Sequence, residues 1–122
     1  MPAVLKINPQ KRVVVSTFFG IVTDKEFLNH RETIVGHPDF KPEFDEIVDL
    51  TMVSDFQVSA TAMQTLATQE SVFRPSSKHA VVAPKDISFE KAEQFKSMAN
   101  SSRPDLKVVR SAAEAYEFLG LK

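Results

Sequence analysis

The chain of 122 residues has no cysteine. That absence excludes a disulfide framework, a cysteine nucleophile and a thiolate metal site. Tryptophan is missing too, and one tyrosine stands against ten phenylalanines, so phenylalanine carries the aromatic packing. Three glycines leave no glycine-rich phosphate loop, and no G-x-S-x-G nucleophile turn occurs. Neither sign of charge is in excess. Fifteen basic and 16 acidic residues give a net charge of −1, which argues against a dedicated nucleic-acid binder. No apolar run approaches the roughly 20 residues that span a bilayer. The opening MPAVLKINPQKR has no apolar run before its charges, as a secretory signal would, so the expected compartment is the cytoplasm.

What is present suits one soluble globular domain over residues 1–122. A chain of this length buries roughly 65% of its unfolded surface, and 43% hydrophobic residues supply a core. VLKI (Val4–Ile7) alternates, NPQK is a turn around Pro9, and RVVVSTFFGIV is β-branched and aromatic throughout, so the three form a hairpin. Its second strand is apolar on both faces, with Val13, Val15, Thr17 and Phe19 against Val14, Ser16 and Phe18. Such a strand is expected to be covered on both sides.

TDKE (Thr23–Glu26) is a capping box opening a helix with Phe27, Leu28, Arg31, Ile34 and Val35 at helical spacing. Gly36 is its expected left-handed stop. In HPDFKPEFDEIVDLT, His37-Pro38 cannot continue the helix, Phe40 and Phe44 plug the connection, and Pro42 stiffens it between them. Glu46–Leu50 is the next strand, TMVSDFQV a loop, and Ser59 the cap of a second helix. The rhythm repeats as strand HAVV, a helix capped by Ser88, strand LKVVR, and a final helix opened by Ser111 and Glu114 and stopped by Gly120. The order β-β-α-β-α-β-α-β-α predicts an α/β fold. It is a mostly parallel five-stranded sheet with an antiparallel first strand and four helices.

Side-chain chemistry points to no catalyst. His30, His37 and His79 are far apart and make no metal-ligand spacing, so neither metal nor cofactor is expected. Asp45 and Asp49 share a strand face but lie roughly 13 Å apart at about 3.3 Å per residue, too far to share a proton. No nucleophile, base and orienting group assemble from the sequence, and the chain is read as a non-enzyme. The rim beyond the carboxyl ends of the strands collects Gly20, Thr23, Thr51, Ser54, Ser59, Lys85, Ser88 and Ser111. In parallel sheets this is where ligands sit. It suits a small anion or polar ligand, and equally a set of helix caps.

The segments FFGIVTDKEF, HPDFKPEFDEIVDLTMV and VVRSAAEAYEFLG resemble the SpoIIAA-like superfamily, which includes the STAS domains. The likeness is to its small bacterial STAS/SEC14-like members and runs over nearly the whole chain. It implies a non-enzymatic protein-interaction or regulatory module. The STAS switch follows an Asp-Leu-Ser-like strand end with Asp-Ser-Ser-Gly at a helix start, where the first Ser is phosphorylated. Here Asp49-Leu50-Thr51 fits the strand end, while Gln57, Val58, Ser59 and Ala60 occupy the motif. Val58 has no hydroxyl to phosphorylate.

Ser59 becomes the regulatory candidate, since phosphate at a helix start would add about −1.5 to −2 charges. Its plain reading is a cap worth on the order of 1 kcal/mol against Ala. Met52, Val53 and Phe56 are the expected exposed contact surface, for a protein partner or for a second copy in a homodimer. The alternative is a SEC14-like carrier, holding a small apolar or lipid-like ligand between sheet and helices among the phenylalanines.

Overall fold

The computed structural model describes residues 3–121. β1 (Ala3–Asn8) and β2 (Val13–Thr23) form the hairpin, with Asn8 Oδ1 accepting from the amides of Gln10 and Lys11 in the turn. Then follow α1 (Asp24–Val35), β3 (Asp45–Gln57), α2 (Ala60–Thr68), β4 (His79–Val82), α3 (Asp86–Met98), β5 (Leu106–Val109) and α4 (Ala112–Leu119). The sheet order is β1-β2-β3-β4-β5, with β1 antiparallel to β2 and the other pairs parallel. This is the α/β architecture expected from the alternation of elements. Among the described residues no helix is long and apolar enough to cross a membrane.

Alternation along each strand divides the core. Phe18, Leu50, Val81 and Val108 face α1, α2 and α3, while Val13, Ile47, Val82 and Val109 face α4. A third cluster joins Val14, Ile34, Phe44 and Phe73, with Phe40 against it. The plug under the α1–β3 connection is therefore real, and the Phe40 and Phe73 rings meet edge-on at 5.3 Å. α4 packs mainly on β3, β4 and β5 and leaves most of β2 uncovered on that face. Val15, Thr17 and Phe19 are half-buried as a result, rather than covered as expected.

Several local expectations are corrected. TMVSDFQV is not a loop: β3 runs on through Gln57, paired with the end of β2 from Phe19↔Met52 to Thr23↔Gln57. Two register shifts in that ladder break the period-two pattern, which hid the strand. Gly20, at φ +71°, sits at one of them. Gly36 closes α1 in the right-handed region at φ −75°, whereas Gly120 does take the left-handed form at φ 73°. Ser88 is no cap: α3 begins at Asp86, and Ser88 is buried in its first turn. The Glu26 carboxylate takes both the amide and the hydroxyl of Thr23, closing the start of α1.

Candidate ligand-binding cavity

Strand register puts charge into the interior. Val14, Glu46, His79 and Leu106 form one row across β2 to β5, on the face toward α1–α3. Glu46 is the second residue of β3 and His79 the first of β4, so both lie at the amino ends of the parallel strands. Backbone contacts fix both starts: Glu46 N donates to Lys78 O, and Lys78 N donates to Asp45 Oδ1. His79 Nδ1 is 2.8 Å from Glu46 Oε1, with the histidine 2% exposed and the glutamate 8%. A carboxylate only accepts, so Nδ1 carries the proton of this bond. The edge of the His79 ring also meets Phe73 at 5.1 Å.

Two further elements bring cations to the same end. α1 contributes His30 and Arg31, one residue apart. His30 Nε2 contacts the buried Ser16 hydroxyl, and its ring meets Phe18 at 4.8 Å. The segment after α3 contributes Arg103, whose Nη1 donates to Leu66 O at 3.3 Å and to Ser102 Oγ at 2.9 Å. Arg103 also lies over the Phe95 ring. Burial pulls the Glu46 pKa upward, but the His79 hydrogen bond and the charges of His79, His30 and Arg103 outweigh it and hold the value below normal. Burial lowers His30 against the opposing pull of Glu46, favouring its neutral form. Burial lowers Arg103 too, helped by repulsion from Arg31 and opposed by Glu46.

These groups line a cavity of about 110 Å³ between the sheet and helices α1–α3. Its walls are mostly apolar. Phe18, Phe27, Phe56, Phe73 and Phe95 contribute, with Met63 and Leu66 from α2. Among the described residues, Arg31 Nε is a buried polar atom with no hydrogen-bond partner.

The sequence reading missed this site. It found no nucleophile, base and orienting group that assemble, and it did not foresee that six ionisable side chains, Lys91 among them, line one cavity. His30, Arg31, Glu46, His79 and Arg103 are separated by up to 73 residues (103 − 30) and meet only through the parallel register. They also gather at the opposite end of the sheet from the hydroxyl-rich rim. One signal was present: EIVDL and HAVV each begin with an ionisable residue at the first inward position of an otherwise apolar strand. Among the described residues no group of three or more His, Asp or Glu could hold a metal ion.

The surface candidates fare differently. Met52 is 64% exposed, but Val53 is 2% exposed in the core, because the segment is a paired strand and not a loop. Phe56 is half-buried against Phe27 and lines the cavity. Val58, at the position the STAS switch phosphorylates, is 3% exposed. The Ser59 hydroxyl accepts from Ala62 N and donates to Asp24 Oδ2, while Asp24 Oδ1 takes the Ser59 amide. A phosphate on Ser59 would meet the Asp24 carboxylate, and like charges there repel. The geometry favours the cap.

No protein-family model matches the chain, and no curated protein does. Solved structures do. One is an uncharacterized protein from the DUF3478 family with a SpoIIAA-like fold, from Shewanella loihica PV-4. It superposes with a TM-score of 0.56 at 13% identity, covering 96% of this chain and 91% of its own. The fold is SpoIIAA-like. At that identity the SpoIIAA-like match concerns architecture, and the chemistry of the cavity rests on this chain's own residues.

Proposed function

We propose that this SpoIIAA-like domain binds a small apolar ligand between its sheet and helices α1–α3, as a carrier or sensor. One observation carries the reading: a mostly apolar cavity of about 110 Å³, walled by five phenylalanines, reaches the buried Glu46–His79 pair. A dry cavity of about 150 Å³ accepts benzene, so the ligand body is of ring size. His79, oriented by Glu46, has the placement of a base, but among the described residues no nucleophilic side chain hydrogen-bonds to it. Binding without turnover is the simpler use of the site.

Native mass spectrometry of protein purified from its source is the test. A small adduct that denaturation releases is expected. Protein that is free of adduct, and that also gives no ligand-observed NMR signal with small aromatics, would remove the reading.

A second reading, the interaction module, retains one observation. Met52 and Ile21, 64% and 53% exposed, lie where β2 and β3 extend beyond α4. They would meet a protein partner or a second copy of the chain. Sedimentation velocity should then show a dimer that Met52→Asp dissociates. A monomer at all concentrations would leave self-association without support.

A further inference from the structure

The cavity holds more positive than negative charge. Arg31 and Arg103 enter from α1 and from the segment after α3, and they stand close enough to repel one another. Glu46 is the carboxylate that faces them, and it is already engaged with His79. One negative charge therefore serves two guanidinium groups, and the Lys91 ammonium lines the same cavity. The Arg31 contact with Glu32 is 3.7 Å long and solvent-exposed, which gives it little weight. Arg31 Nε is left buried without an acceptor. Arg103 has spent one nitrogen, Nη1, on Leu66 O and Ser102 Oγ.

We infer that the ligand is a small monocarboxylic acid, its carboxylate seated between Arg31 and Arg103 and its ring-sized apolar body among the phenylalanines. This rests on the cavity being a binding site and adds the charge of what it binds. A planar carboxylate matches the guanidinium fork, and it would supply the acceptor that Arg31 Nε lacks. It would also relieve the repulsion between the two cations. A phosphate monoester fits less well, because its second charge must also be desolvated in a cavity with mostly apolar walls. The adjoining Phe95 ring, under the Arg103 guanidinium, holds that side chain in place for the contact.

The probes are benzoate, benzamide and toluene, titrated calorimetrically into the full chain in chloride-free buffer. Benzoate should bind at least about tenfold more tightly than benzamide, as expected for a charge-assisted contact over a neutral one. Arg31→Gln and Arg103→Gln should each weaken benzoate by about tenfold or more and change toluene by less than about twofold. A thermal melt of each variant reports whether it is folded. Arg31→Lys, which keeps the charge without the fork, should recover only part of the affinity. Benzamide or toluene binding as tightly as benzoate would overturn the carboxylate and leave the cavity standing as a neutral site. Failure of all three to bind would overturn both the acid and a ring-sized occupant.

Discussion

Glu46 and His79 are tolerated in the interior because each answers the other. Removing one partner leaves an uncompensated polar group, which costs about 3 kcal/mol or more, whereas replacing both with apolar residues is close to neutral. His79→Leu and Glu46→Leu should each lower urea stability by about 3 kcal/mol, and the double variant by clearly less than the sum. Additive losses would show that the 2.8 Å contact carries no coupling. Ser59 is a smaller case. Ser59→Ala removes the cap on α2 and the hydroxyl bond to Asp24, with an expected loss of about 1 kcal/mol in the same assay.

At the scale of elements, helix ends and strand lengths show which signals were readable. The capping box at α1 and the Ser111 cap of α4 were visible in Thr23-x-x-Glu26 and Ser111-x-x-Glu114 because they are local chemistry, although Glu114 Oε1 takes the Arg110 amide and not that of Ser111. The second half of β3 was not, because its pairing with β2 is made at long range and shifts register at Gly20. Two glycines that read alike turned out different. Gly120 has φ 73°, and Gly120→Ala should cost about 1 kcal/mol at least, since a side chain strains the left-handed form. Gly36 has φ −75°, where alanine fits the backbone, although its Cβ would stand 3.2 Å from Glu32 O. Gly36→Ala should therefore change the melting temperature less than Gly120→Ala, and the reverse order would contradict the cap geometry.

For the whole molecule, acid stability follows from the buried groups. The folded His30 value lies below its ordinary 6.5, so as pH falls below 6.5 the unfolded chain takes up a proton that the folded chain resists, and stability drops. Glu46 acts lower. Its folded value lies below 4.5, so its contribution is present above 4.5 and is lost as pH falls through the folded value. Urea midpoints should decline in two stages, and His30→Gln should remove the first. The cavity makes a second global prediction. Ala92, on α3 and 7% exposed, lines it, so Ala92→Leu should raise the melting temperature by filling space while abolishing ligand binding. A lowered melting temperature would mean that the space is not available to a side chain.

The amino-acid sequence alone determined the order of elements, the antiparallel first strand and most helix ends. Those follow from periodicity and from contacts a few residues apart. Tertiary structure decided the site. Whether His30, Arg31, Glu46, His79 and Arg103 meet depends on which strands are neighbours and in what register. It depends too on which sheet face α1, α2 and α3 cover, and no local pattern encodes either. The same is true of Met52 and Val53: they are adjacent in the chain, and one is exposed and the other buried because a paired strand sends successive side chains to opposite faces.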